Sequence, residues 1–461
     1  MNRLHTYLLL LALPCFTGSC YKDASDRFLD EKTEVVSNGE EEENERVVSQ
    51  NHWIYDQMKK NYLWEAHLPD TSRLSFSEYP RQFFSRLLYE GDRFSWIEPN
   101  SEYSGSSLYD SYGLDYLAYT APEGETLYRA LLVRRDSPAQ RAGIKRGDWF
   151  QVVRESGSRV ELKTGSLDGN RLLPGKTVVM QAGEQPGNAA ASIELDTVYR
   201  MGGKTIGYLL YNEFMDSESI IGNPYRAELR DAFRYFRQEG ISDLIIDLRY
   251  NPGGYVSICR YLGSLITPDE CLGAIWGYHS FNKNLAAQQY EETGSEEETV
   301  HFYGANIMGG NNLGMRKVYF IITRRTASAS ESLINSLSAF IEVTKIGTAS
   351  TGKGVGSWTI QSNLYEWQLQ PITFRYYNKN HESVPDSGLV PDVPVDESDA
   401  ATLYELGDVR ERLLSAALDE ILGGTLRAVR DERKITLVPG GKQPSPGKIK
   451  GYRDKHIKSN T

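Results

Sequence analysis

Leu244-Ile245-Ile246-Asp247-Leu248-Arg249-Tyr250-Asn251-Pro252-Gly253-Gly254 opens with a short apolar run and closes on a turn. Such a run reads as a buried strand. The two glycines after it let backbone approach a ligand with free N–H groups. Fixed donors of that kind suit an oxyanion hole, although Pro-Gly-Gly after a strand is by itself an ordinary turn. Outward from this point the pattern repeats. Lys204 to Leu210, Val318 to Ile322 and Val343 to Ile346 read as strands. Asn223-Pro224 starts a helix with Leu229, Phe233 and Phe236 on one face, and Gly240 ends it. Ser328 to Phe340 reads as a further helix. Strands alternating with helices predict an α/β fold with a partly parallel sheet.

Two more segments follow strands in the same way. Thr326-Ala327-Ser328-Ala329-Ser330-Glu331 opens the helix after Val318 to Ile322. A serine there sits beside free N–H groups and the positive end of the helix dipole, though serine is also a favoured N-cap. Gly347-Thr348-Ala349-Ser350-Thr351-Gly352-Lys353-Gly354 follows Val343 to Ile346 and places a lysine between glycines. A serine hydroxyl is a poor nucleophile without a base. An ordinary lysine is neutral at pH 7 in roughly one molecule in two thousand. Burial lowers a lysine pKa and makes the amine a usable base.

Taken in order, with 25 residues from Ser328 to Lys353, DLRYNPGG, TASASE and TGKG resemble the C-terminal processing peptidases, also called tail-specific proteases. The resemblance covers about residues 105–425 and includes Gly388-Leu389-Val390-Pro391-Asp392. It implies a crotonase-like ββα protease core in which Ser328 attacks the peptide carbonyl and Lys353 is the general base. It also implies that backbone N–H groups of Gly253 or Gly254 and of Ala329 hold the oxyanion, while Asn251 shapes the loop. Many relatives carry Gln four residues after the lysine to orient it; Ser357 stands there in this chain.

Upstream, short apolar runs between turns mark a β-rich module. Within it, Ser137 to Asp148 (SPAQRAGIKRGD) resembles PDZ domains of bacterial proteases. Such domains add a peptide C-terminus as an extra strand. The matching carboxylate loop is Tyr112-Gly113-Leu114-Asp115-Tyr116, with Gly113, Leu114 and Tyr116 as binding residues. Relatives often have glycine where Asp115 stands.

At 461 residues the chain needs two or three domains. The expected order is a lipoprotein signal over 1–20, a disordered acidic tether over 21–50 and a helical region over 51–104. A PDZ-like module over 105–199, a protease domain over 200–425 and a loose tail over 426–461 complete it. The helical region shows no chemistry of its own, and 281–316 reads as an insertion. Arg3, the apolar run from Tyr7 to Leu13 and Thr17-Gly18-Ser19-Cys20 make an export signal with a lipidation site at Cys20. The expected location is therefore the bacterial cell envelope, with a lipid anchor as the only membrane contact.

A net charge of −11 argues against a nucleic-acid partner. The histidines and cysteines fit no metal motif, and no cofactor is called for. Cys259 and Cys271 are either a pair or two buried thiols. Gly347 to Lys353 spells a near P-loop, but Gly354 replaces the magnesium-binding Ser or Thr. The expected partners are proteins or peptides with free C-termini. The competing reading is a catalytically weakened, peptide-binding surface lipoprotein, favoured by Ser357 and Asp115.

Overall fold

A computed structural model of the chain describes residues 27–100, 108–182, 192–217, 222–426, 433–437 and 439–440. Its centre is a six-stranded sheet in the order Val393–Pro394, Glu342–Gly347, Lys317–Ile322, Asp243–Asp247, Lys204–Tyr211 and Ile193–Met201. All neighbours are parallel except the last pair. Side chains alternate between the two faces. Leu244, Ile246, Val318, Phe320 and Ile322 meet the helices Pro224–Gln238, Val256–Ile266 and Ala329–Leu337. Ile245, Tyr319, Ile321 and Ile346 meet the helix Arg412–Ile421. Cover on both faces is why these strands read as unbroken apolar runs.

The helix Pro224–Gln238 begins as read from the sequence. Asn223 Oδ1 accepts the N–H groups of Tyr225 and Arg226 at 3.1 and 3.2 Å, and Pro224 needs no partner for its nitrogen. Parallel strands put their carboxyl ends on one side of the sheet. The turns after Asp243–Asp247, Lys317–Ile322 and Glu342–Gly347 therefore gather there, which is where open α/β sheets bind ligands.

Several sequence expectations need correction. The acidic stretch is not extended where it is described: one helix runs Arg27–Asn61. Glutamate is a good helix former, and this helix continues into a segment that buries Ile54, Met58 and Tyr62. The N-terminal unit is not purely helical either, because Trp96–Pro99 pairs antiparallel with Trp367–Gln370. Residues 281–316, read as an insertion, form regular elements. The helix Lys283–Thr293 links Ile275–Phe281 to Glu297–His301, two strands of a four-stranded antiparallel sheet with Ile372–Asn378 and Val355–Ser357.

The β-rich module is a five-stranded antiparallel meander over Leu114–Thr120, Thr126–Val133, Trp149–Ser156, Arg159–Asp168 and Arg171–Gln181. Ser137 caps the short helix Pro138–Arg141 by accepting the Gln140 N–H at 3.1 Å. The strand Ile193–Met201, expected within this module, pairs instead with Lys204–Tyr211 at the edge of the central sheet. The tail is not loose over 433–437 and 439–440. Ile435 and Leu437 pack with Tyr119, Leu127 and Trp149, and the Gly440 N–H donates to Ala118 O at 3.0 Å. Apolar side chains in an otherwise polar tail are what dock it. Cys259 and Cys271 are buried free thiols. The export signal and Cys20 lie outside the described residues.

Candidate active site

Ser328 sits between the strand Lys317–Ile322 and the helix Ala329–Leu337 with φ +57° and ψ −116°. A non-glycine residue in that region is strained and persists only where surroundings hold it. The restraints are visible. The Ser328 N–H donates to Glu331 Oε2 at 2.9 Å. The Ala327 N–H donates to Asn251 O at 3.1 Å. Such backbone strain is concentrated at functional sites. Ser330 is turned inward, with its hydroxyl donating to Asn251 O at 3.1 Å.

The glycine turn abuts this serine. Gly253 has φ +106°, and a Cβ there would stand 2.9 Å from both Ser328 Cβ and the Ala329 nitrogen. Only glycine permits that approach. Asn251 fixes the turn, donating to Tyr211 O at 2.9 Å and accepting the Gly253 N–H at 2.8 Å. That second bond corrects one expectation, since the Gly253 amide is already used. Among the described residues, no partner takes the amides of Gly254 and Ala329.

Lys353 is brought to the same place by Glu331. Its backbone N–H donates to Glu331 Oε2 at 2.8 Å, and the Gly352 N–H donates to Oε1 at 2.7 Å. Ser350 donates its hydroxyl to Oε1 as well. The lysine side chain is buried. Burial lowers its pKa to about 8, against the opposing pull of Glu331 and Asp92. Burial also raises the pKa of Glu331, while the hydrogen bonds from Ser350, Gly352, Lys353 and Ser328 pull it back.

Beneath the turn lies a buried ion network. Arg249 donates to Asp247 Oδ2 at 2.7 Å, Glu411 Oε2 at 2.8 Å and Glu397 Oε2 at 3.1 Å. Arg146 from the β-rich module reaches Glu397 Oε2 at 2.5 Å and Tyr250 Oη at 2.6 Å. Burial alone would raise the Glu397 carboxyl, but Arg146 and Arg249 hold it below the ordinary range. Arg249 and Tyr250 thus anchor the glycine turn from below.

Other expected site residues fall elsewhere. The Ser357 hydroxyl accepts from Gln370 Nε2 at 2.7 Å. Leu114 is fully buried in the module core, and Tyr116 packs on Tyr128 and Phe150. The strand directs both toward the core, where Leu114 is buried and Tyr116 half-buried. Gly113 takes φ +69° directly against Ser137. Asp115 pairs with Arg325, which also donates to Tyr116 O.

Sequence reasoning assigned no role to Glu331, although Ser328-x-x-Glu331 spells a capping box. It also missed Asp92, Arg93 and Phe94, which reach the lysine loop across the fold with no local signal. Among the described residues, no cluster of three or more His, Cys, Asp or Glu forms a metal site.

Residues 205–395 match the model of peptidase family S41, and residues 49–96 match its N-terminal domain. The chain belongs to peptidase family S41. This S41 chain is 25% identical over 226 residues to a carboxyl-terminal-processing protease of Synechocystis, covering 48% of itself and 45% of that relative. It is 25% identical over 347 residues to the carboxy-terminal processing protease CtpB of Bacillus subtilis, covering 70% of itself and 62% of the relative. It thus spans less than two thirds of the length of either relative. A solved Bacteroides fragilis structure assigned to the S41 proteases superposes with a TM-score of 0.68 at 26% identity, covering 80% of this chain and 97% of that one. The mixed α/β core with a small N-terminal helical unit is therefore the S41 arrangement.

Proposed function

We propose that this S41 chain is a serine endopeptidase with a Ser328–Lys353 dyad. The observation that carries the reading is the convergence of both residues on one Glu331 carboxylate, beside the glycine turn. Neutral Lys353 takes the proton from Ser328 Oγ as that oxygen bonds to the peptide carbonyl carbon. The amides of Gly254 and Ala329 receive the resulting oxyanion. As the C–N bond breaks, the proton passes from Lys353 to the leaving amine. Water then attacks the acyl-serine carbon, giving its proton to Lys353, and the freed Ser328 oxygen recovers it.

The proposed substrates are unfolded or C-terminally tagged proteins of the cell envelope. The β-rich module is read as PDZ-like and the enzyme as exported and held by lipid at Cys20. Intact-mass measurement of the membrane fraction tests the anchor: an unmodified N-terminus beyond residue 20 overturns it.

For the dyad, Ser328→Ala, Lys353→Ala and the double variant are assayed on an unfolded reporter protein, with fluorophosphonate labelling of Ser328. Residues that act as one unit lose activity together, not additively. All three are expected at one residual rate, and only chains with Ser328 take the label. A Lys353→Ala variant near the parent rate overturns the dyad. Peptide binding without labelling in the parent supports a non-catalytic binding protein instead.

A further inference from the structure

The turn Asp92-Arg93-Phe94-Ser95 belongs to the N-terminal unit yet lies against the lysine loop. The Phe94 ring centroid is 5.2 Å from Lys353 Nζ. Arg93 Nη2 donates to Gly352 O and to Asp386 O, both at 3.0 Å. Those carbonyls belong to two backbones in direct contact, because a Cβ on Gly352 would stand 2.2 Å from Asp386 O. One guanidinium thus ties the residue before the lysine to the neighbouring segment.

The turn is itself rigid. Asp92 Oδ1 accepts the N–H groups of Phe94 and Ser95 at 2.9 and 3.0 Å. Its Oδ2 accepts the Tyr62 hydroxyl at 2.7 Å. Ser95 Oγ accepts the Ile372 N–H at 2.8 Å. The helix Arg27–Asn61, through the adjoining Tyr62, therefore fixes the turn from one side, and the strand Ile372–Asn378 fixes it from the other.

We propose that Arg93 and Phe94 are positioning residues for the general base, so that the N-terminal unit completes the pocket in which Lys353 works. The proposal rests on the Ser–Lys reading above. Phe94 supplies an apolar wall against water, and Arg93 holds the loop that aims the amine at Ser328. Two effects of the ring oppose each other. Excluding water favours the neutral amine, whereas the negative ring face favours the ammonium. On this proposal water exclusion is the larger of the two, in line with the burial that lowers the Lys353 pKa. The charged groups acting on the amine are Glu331, from the helix Ala329–Leu337, and Asp92, from the same turn as Phe94. Arg93 lies on the adjoining carbonyls, and Asp386 beside it pairs with Arg375 at 4.0 Å.

The test measures kcat and KM of the full chain against pH, using an unfolded reporter protein, for the parent, Phe94→Leu, Phe94→Gln, Phe94→Ala and Arg93→Gln. Phe94→Ala and Phe94→Gln admit water. Both are expected to move the rising limb of kcat/KM toward alkaline pH by about one unit, costing about tenfold at pH 7 and recovering by about pH 10. Phe94→Leu keeps the cover without the ring face, so its limb stays put or moves toward acid. Arg93→Gln is expected to lower kcat about tenfold with KM unchanged. Should Phe94→Ala fail to fold, Phe94→Gln and Phe94→Leu still give the contrast. An unshifted limb in the folded polar or small variants overturns the proposal, whatever the loss in rate. If Ser328→Ala and Lys353→Ala abolish activity while the limb stays fixed, this proposal alone fails. If those two retain activity, the dyad reading fails first.

Discussion

Ser328 and Lys353 donate their backbone N–H groups to the same oxygen, Glu331 Oε2, at 2.9 and 2.8 Å. Neither residue is near the other in the chain, so this carboxylate is what sets the proposed nucleophile and the proposed base in register. It also accepts from Ser350 and Gly352 on its second oxygen. Hydrogen bonds to a charged group contribute about 1.5–3 kcal/mol each, and a buried donor left unpaired costs more than a missing one. Glu331→Gln replaces two acceptor positions with an NH2 group facing amide donors. We expect kcat to fall at least about tenfold with little change in KM, together with a lower melting temperature. Steady-state kinetics and calorimetry on the same variant check both parts. A normal kcat would remove Glu331 from the site's architecture.

The pH profile follows from the amine. Lys353 is lowered from 10.5 to about 8, first by burial. In the proposed mechanism the neutral form is the base, and its fraction falls tenfold for each pH unit below the pKa. Activity should therefore rise from pH 6 to a plateau above about 8–9. A profile already flat between pH 6 and 9 would mean that Lys353 is not the titrating base. Stability has its own sign. A lysine depressed in the folded state binds its proton less well than in the unfolded chain. Between about 8 and 10.5 the unfolded state therefore holds more protons, and this group adds stability as pH rises.

The parts legible from sequence were those whose cause is local. Leu244-Ile245-Ile246 declared a buried strand because both of its faces are covered. Asn223-Pro224 declared a helix start because capping is a short-range effect. Gly253 stood out because only glycine fits against Ser328. The rest depends on contacts distant in the chain. Nothing near Phe94 announces that it covers a lysine 259 residues later. The loop position of Leu114 suggests a pocket residue, but its strand register turns it into the core. The acidic run misled for another reason. Like charges favour extension in isolation, but here the run continues a helix already fixed by buried Ile54, Met58 and Tyr62.

The ion network under the glycine turn gives a stability prediction. Arg249 is fully buried between Asp247, Glu397 and Glu411. Removing one partner of a buried pair leaves uncompensated charge, at a cost of about 3–5 kcal/mol. Arg249→Ala should unfold at a clearly lower urea midpoint and lose activity as the turn holding Gly253 and Gly254 loosens. Arg249→Ala combined with Asp247→Asn should recover part of the stability, because it also removes a charge. Urea titration of the two variants decides the matter, and equal midpoints in parent and Arg249→Ala would contradict it.

The outer edge of Leu114–Thr120 leads to a binding prediction. Strand addition needs free backbone groups along an edge. Here Arg325 donates to Tyr116 O while pairing with Asp115, and Gly440 donates to Ala118 O. Two consecutive outward carbonyls are thus taken by the chain itself. A peptide that adds to this edge must displace them. Arg325→Ala should therefore tighten binding of a fluorescent peptide with a free C-terminus by about tenfold, the scale of one charge-assisted hydrogen bond. A peptide with an amidated C-terminus should gain less, since the carboxylate is what the loop after Tyr112 is read to hold. Arg325 lies three residues before Ser328, so the same variant should also lower the hydrolysis rate by loosening the nucleophile's turn. Fluorescence anisotropy with both peptides, alongside a kinetic assay, separates the two effects. Unchanged affinity for both peptides would show that ligands do not enter along this edge.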